Sequence, residues 1–484
     1  MASKRISRRA VLVASGAGVG AAAIGATFAI QQIQRANAGP TLVEPQILKS
    51  ENGLLEVTLT AGQVSHAISG QSYTMFGYNS GVPGPTLVVK SGDTVRVKLQ
   101  NRLNQTTNLH THGLHVSPVG NSDNPMIMVE PGQDFDYEYK IPRNHPNGTY
   151  WYHPHHHGQV ANQTWAGLYG AIIVDDGLNI AHTKRVMIIS DVSFTTDGYV
   201  AGANMMSRMM GREGDHLLLN GQEHPVTEHK SGQAQIWHIV NACVSRNLSL
   251  RISGSRANVI AVDGHGVARY SAAENQLLSP GNRIDVMVEP GRGDVQLLYT
   301  TVAHPDSMGM MGSSAKTYTD YPLITSRANG TVTRDMSGAT QGNESDLRHM
   351  YVNAKREFVL NMPSMNNMMG MMASGLEGKF TINGQAFDAN RIDTATKLGA
   401  IEEWTIVNKS TMAHPFHLHV WPMQVLSVGG VEVGHTRYQD VVNVPAKQSA
   451  VVRVMFTDYT GHSVYHCHIL DHEDLGMMGI IEVS

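Results

Sequence analysis

Cysteine is nearly absent. The 484 residues contain two, Cys243 and Cys467, which excludes a disulfide-stapled scaffold. Charge is sparse as well. Only 16% of residues are Asp, Glu, Lys or Arg, and their net charge is −4. That near-balance excludes the basic surface that a nucleic-acid partner requires. Beyond residue 38 no run is apolar and long enough to span a bilayer. Helical periodicity is scarce, whereas segments such as Thr94-Val95-Arg96-Val97-Lys98-Leu99 alternate as half-buried strands do. Histidine (25) and methionine (26) are in excess. Imidazole and thioether are borderline and soft ligands, so the excess points to soft-metal chemistry.

The densest concentration of such ligands is Tyr465 to Met478, YHCHILDHEDLGMM, with His466, Cys467, His468, His472 and Met477. Two imidazoles, one thiolate and a weak axial thioether form the ligand set of a blue-copper electron-transfer site. Cys467, His472 and Met477 could wrap one ion, with a second imidazole from elsewhere in the chain. On a strand, His466 and His468 point away from the face of Cys467, so they are free for a different metal. A closed Cys/His zinc site is the competing reading. Cys467 therefore forms no disulfide, and Cys243 reads as a small buried hydrophobe.

The first 38 residues read as a cleaved export signal. Lys4, Arg5, Arg8 and Arg9 precede a mildly apolar Gly/Ala-rich run, and Ala36-Asn37-Ala38 is a small-x-small cleavage site. Ser7-Arg8-Arg9-Ala10-Val11-Leu12 resembles a twin-arginine signal, so a periplasmic location, or the cell surface, is expected. The remainder repeats one unit three times. GPTLVVKSGDTVRVKLQNRLNQTTNLHTHGLHV, QAQIWHIVNACVSRNLSLRI and GAIEEWTIVNKSTMAHPFHLHV are the three openings. Each is followed by a Pro-centred strand entry and a Tyr-bearing strand. Short strands with Gly/Pro/Asn turns predict an all-β chain of three consecutive Greek-key β-sandwich domains, at 41–178, 183–330 and 355–484.

Histidines distinguish the copies. His110-Thr111-His112 matches His417-Leu418-His419, and His153-Pro154-His155 matches His466-Cys467-His468. The middle copy has Ser249-Leu250-Arg251 and Thr300-Thr301 there, so it keeps the scaffold without the ligands. A lone His-x-His pair means little. Four at repeat-equivalent positions predict a cluster between the first and third domains, with eight imidazoles for three coppers and open positions for oxygen. His414 supplies the second imidazole of the Cys467 site. His156 and His157 extend the second pair and read as neighbours of the cluster, not ligands.

These segments, HTHG at 110–113, HPHHHG at 153–158, HPFHLH at 414–419 and HCHILDHEDLGMM at 466–478, resemble the signatures of the three-domain multicopper oxidases over nearly the whole chain after residue 38. The resemblance implies cupredoxin-like domains and four copper ions. A type 1 copper on His414, Cys467, His472 and Met477 would take electrons singly, and a trinuclear cluster would reduce dioxygen to water. It implies His110 and His417 on the type 2 copper. It implies His112, His153 and His468 on one type 3 copper, and His155, His419 and His466 on the other. Glu473 and Asp123 match acids that relay protons in the family.

The electron donor is read from Met362, Met365, Met368, Met369, Met371 and Met372, six methionines in eleven residues. Thioethers bind Cu(I), and bacterial cuprous oxidases, which the chain resembles most, carry a Met-rich insertion at this place. Met412 matches a methionine those enzymes use near the substrate ion, whereas Ser410 stands where they have an acid. Two smaller groups, Met205/Met206/Met209/Met210 and Met308/Met310/Met311, read as adaptable packing. The leading expectation is an oxidase of Cu(I), with other metal ions such as Fe(II) as further donors, acting in copper detoxification. A laccase-like oxidase of small phenols and a copper-sequestering protein without turnover compete with it. A copper nitrite reductase would not need eight cluster imidazoles.

Overall fold

The computed structural model describes residues 39–175, 183–302, 317–335, 344–363 and 380–484. Alternating segments become strands with one buried face. In Thr94–Asn101 every second side chain is buried, and Ile401–Asn408 and Ser449–Met455 follow the same pattern. Among the described residues the strands assemble into six sheets that stack as three successive pairs. The first pair joins a five-stranded sheet, in the order Ile47–Lys49, Thr86–Val89, Gly170–Val174, Gly148–His153, His110–His112, to a four-stranded one. A six- and a five-stranded sheet follow, and then a seven- and a five-stranded sheet that end at Val483. Apolar inner faces meet in each pair, around Leu59, Tyr139 and Ile172, around Trp237 and Val286, and around Trp404, Phe416 and Val452. The chain is all-β and built as three consecutive cupredoxin-like sandwiches.

At one edge of the second pair, Tyr321–Asp335 is a single strand that runs through Asn329-Gly330. Gly330 takes a φ of +92° within it, where the register against Val226–Gln233 shifts. The glycine is absorbed as a bulge and does not end the strand. The segment 1–38 lies outside the described residues, and among those described no helix is long and apolar enough to cross a membrane. Cys243 is buried in the second core, and neither it nor Cys467 is in a disulfide.

The sandwiches share a buried seam. Trp151 and Tyr169 from the first, Val186, Ile188 and Val240 from the second, and Leu470 from the third lie in one apolar cluster. Burial at the seam explains why every residue of Gly148–His153 is buried: Tyr150 and Tyr152 face the first core and Trp151 faces the seam.

Candidate metal centre

Four strands carry the cluster histidines or end one or two residues before them: β1 (His110–His112), β2 (Gly148–His153), β3 (His414–Leu418) and β4 (Gly461–Cys467). β1 pairs antiparallel with β2, which sets His110 opposite His153; β3 pairs with β4, which sets His417 opposite His466. The two pairings are the same device used twice. Because side chains alternate, Cys467 faces Phe416 and the third core, while His466 faces the first domain. Beyond β3, Val420 holds a φ of +68°, a strained value for a β-branched residue. That bend sits directly after His419.

In the third core, Nδ1 of His414 lies 3.3 Å from Cys467 Sγ and 3.3 Å from Nδ1 of His472, and Cys467 Sγ lies 3.8 Å from His472 Nδ1. A triangle of these sides has a centre about 2.0 Å from each corner, the length of a metal–imidazole bond. The other nitrogen of each ring is engaged. His414 Nε2 meets Ser410 Oγ at 2.7 Å, and His472 Nε2 donates to the Met209 carbonyl at 3.1 Å. Phe380 stacks on His472 at 4.2 Å. Met477 is buried in the same core, and its carbonyl accepts from the Cys467 amide at 3.0 Å.

Between the first and third domains stand the eight remaining imidazoles. Three groups bring their ring nitrogens close together: His110, His112 and His417; His112, His153 and His468; His155, His419 and His466. The outer nitrogens are held. His110 Nδ1 donates to Asp123 at 3.0 Å, His417 Nδ1 to the Asp440 carbonyl at 2.8 Å and His153 Nδ1 to the Pro154 carbonyl at 2.9 Å. Three inner nitrogens have nothing to bond. Nε2 of His110, His153 and His417 are buried without a partner. His466 Nε2 faces His155 Nε2 at 3.2 Å and His419 Nε2 at 3.1 Å, and His468 Nε2 faces His112 Nδ1 at 3.2 Å. Burial drives the His155 and His466 imidazoles down to about 4, and His110, His112, His153, His417, His419 and His468 well below the ordinary value. Neutral rings whose inward nitrogens are unpartnered or meet only one another are a costly arrangement unless cations take their lone pairs.

Both singled-out acids adjoin this cluster. Glu473, fully buried in the helix α3 (Leu470–Asp474), lies 3.1 Å from His466 Nδ1 and 3.4 Å from His155 Nε2. Burial pushes its carboxyl up to about 7, against the pull of His155. Asp123 accepts from His110 and from the Thr111 amide at 2.8 Å, and burial lifts it to about 7 against those Thr111 hydrogen bonds. Neither is a solvated loop acid.

Sequence profiles of the multicopper oxidases match residues 60–179, 192–323 and 352–484. The chain belongs to the multicopper oxidase family. A multicopper oxidase of Staphylococcus aureus is 27% identical over 92% of each chain. FtsP of Dickeya dadantii, a cell division protein, is 27% identical over 88% of this chain and 87% of its own. Among solved structures, the Campylobacter jejuni multicopper oxidase, a metallo-oxidase, superposes with a TM-score of 0.81 at 28% identity, covering 92% of this chain and 95% of that one. A laccase-like oxidase from an Ochrobactrum species, active towards lignin model compounds, gives 0.78 at 25% identity, with 92% and 100% covered. This multicopper oxidase is therefore an oxidoreductase that uses copper, with O2 as acceptor and a reducing substrate as donor.

The methionines divide. Met365, Met368, Met369, Met371 and Met372 lie outside the described residues, as do Met308, Met310 and Met311. Met412 is buried in the core that holds Cys467, and Met362 packs against that core. The group read as packing stands closer to the centre than expected. The short helix α1 (Val160–Trp165) and the helix α2 (Met205–Met210) both contact α3. Met209 is buried in the Cys467 core, and Met205 and Met210 pack against it. His156 and His157 are half-buried outside the ligand groups, and His157 packs on Phe387 at 4.7 Å. Sequence reasoning missed Asp440, which accepts from His112 Nε2 at 3.0 Å, and the middle-domain residues that reach the centre. Asp440 carries no motif signal, since its position opposite His112 exists only once two domains pack.

Proposed function

We propose that this multicopper oxidase holds four copper ions and oxidises Cu(I) at the expense of O2, as an exported enzyme of copper detoxification. The observation that carries the donor is the convergence on one core of methionines distant in sequence: Met209 from the second domain, Met362 and Met412 from the third, with Met205 and Met210 beside them. Thioethers are selective for Cu(I). His414, Cys467, His472 and Met477 would hold the type 1 ion, His110 and His417 the type 2 ion, and the two triads His112/His153/His468 and His155/His419/His466 the type 3 pair. Bound copper would supply one-electron redox chemistry at Cys467 and four-electron reduction of dioxygen to water at the imidazole cluster.

The protein does the rest. Cys467 is bonded in sequence to His466 and His468, so its thiolate lies a short covalent path from both triads. Phe380 and the Met209 carbonyl cover His472 and keep water from the Cys467 core. Glu473, between His155 and His466, holds a proton near neutral pH and can hand it inward, and Asp123 keeps the His110 proton on Nδ1. The full burial of His472 weighs against a phenol resting on its edge, and thus against the laccase-like reading. The complete set of imidazole groups speaks against the sequestration reading. Oxygen uptake by the copper-loaded protein is the test. Rapid uptake with buffered Cu(I) and slow uptake with a phenol is the expected result; uptake with the phenol alone overturns the assignment of the donor.

A further inference from the structure

The middle domain gives the cluster no imidazole, yet two of its residues reach it. Gly281 lies against the rings: a Cβ there would come within 3.0 Å of His468 and 3.1 Å of His112. Its φ of +87° suits glycine alone. Two residues on, Arg283 is fully buried and grips Asp440 with both arms of its fork, Nη1 to Oδ1 and Nη2 to Oδ2, each at 2.6 Å. Arg283 is itself fixed, with Nη1 on the Gly281 carbonyl and Nε on the Thr149 carbonyl, both at 3.1 Å. Asp440 passes the constraint on. Its Oδ1 accepts from His112 Nε2 at 3.0 Å, and its carbonyl accepts from His417 Nδ1 at 2.8 Å. Gly113, directly after His112 and at a φ of +86°, leaves the space the pair occupies; a Cβ there would strike Arg283 Nη2 and Asp440 Oδ2.

A planar fork matches a carboxylate at two points and sets its plane as well as its position. A carboxylate so held fixes which nitrogen of its imidazole partner carries the proton, and the angle of the ring. We propose that Arg283 is a positioning residue for the cluster. Through Asp440 it locks His112 with Nδ1 turned inward, so that the domain without ligands sets the geometry of a centre it does not touch with a donor atom. The proposal rests on the copper reading above.

The test is Arg283→Lys in the copper-loaded full chain, beside Arg246→Lys. Arg246 is an equally buried second-domain arginine, on Asp191 at 2.8 Å, with no bond to an imidazole. The readouts are copper per chain, the type 2 electron paramagnetic resonance signal, the near-ultraviolet band of the type 3 pair and the visible band of the Cys467 site. Arg283→Lys should change the type 2 and type 3 signals and weaken copper retention at the cluster by about tenfold or more, with the visible band unchanged. Arg246→Lys should alter neither signal, whatever it does to the melting temperature. Cluster signals and copper content like those of the wild type in Arg283→Lys overturn the proposal. Should Arg283→Lys not accumulate, Asp440→Asn reads the same link from its other end: altered type 2 and type 3 signals support it, and unaltered ones overturn it. A wild-type protein that binds copper without any type 3 band would overturn the copper reading itself, and this proposal with it.

Discussion

The backbone carbonyl of Met209 accepts a hydrogen bond from Nε2 of His472 across a domain boundary, at 3.1 Å. The bond leaves His472 Nδ1 for the pocket it shares with His414 and Cys467, and α2 sets its methionines in and against the same core. Leucine in place of Met205, Met209, Met210 and Met362 keeps apolarity and approximate volume but removes the thioethers. Oxidation of Cu(I) should fall about tenfold or more, a loss of about 1.4 kcal/mol at least in transition-state binding. Oxidation of a phenol and the visible band of the Cys467 site should be preserved. Steady-state oxygen uptake with each donor checks this.

Among the described residues, Glu473 is the one carboxylate within reach of both His155 and His466. Glu473→Gln keeps the shape and removes the exchangeable acid. Turnover should drop by about 10²-fold or more, with copper content and the visible band intact. Asp123→Asn should lower turnover too, and should also disturb the type 2 signal, because Asp123 holds His110 directly.

Arg212 follows α2 and bonds Asp471 of α3 with Nε at 2.7 Å and Nη2 at 2.5 Å, and both side chains are buried. Removing Arg212 leaves the buried Asp471 only the looser Arg208, Nε at 3.6 Å, at a cost of up to about 3–5 kcal/mol. Arg212→Ala should lower the denaturation midpoint accordingly. It should also loosen the cover on His472, seen as a shift of the visible band.

Acid should destabilise the copper-free protein. Burial lowers the cluster imidazoles from 6.5 to about 4 at His155 and His466, and lowers their neighbours further. Below 6.5 the unfolded chain binds protons that the folded chain refuses, so stability is lost as pH falls from 6.5 towards 4. The slope is about 1.4 kcal/mol per pH unit for each such group. Glu473 and Asp123 act oppositely, since carboxyls raised to about 7 favour the folded state as pH falls below 7; they are outnumbered. Melting temperatures should drop on acidification without copper and drop far less once copper occupies the same lone pairs. A flat profile for the copper-free protein would contradict the neutral, buried cluster.

Much of this was legible in the residues. The strands and the separate faces of Cys467 and His466 follow from period-two alternation; the histidine cluster follows from repeat-equivalent spacing, and its division into groups from the family resemblance. What escaped was made by packing between distant segments. Met209, Arg283 and Asp440 have no local pattern, because their partners lie 263, 157 and 328 residues away. The passage of Tyr321–Asp335 through Gly330 likewise depends on pairing with the distant Val226–Gln233.

Oxygen titration of the anaerobically reduced, copper-loaded protein tests the central claim most directly. The visible band and the released peroxide are followed as substoichiometric O2 is added. Complete return of the band at one O2 per chain, without peroxide, is the predicted result, since the four reduced coppers proposed above would carry the four electrons that dioxygen needs to become water. Release of peroxide, or no consumption of O2 by fully loaded protein, would contradict a cluster built from these eight imidazoles for the reduction of oxygen.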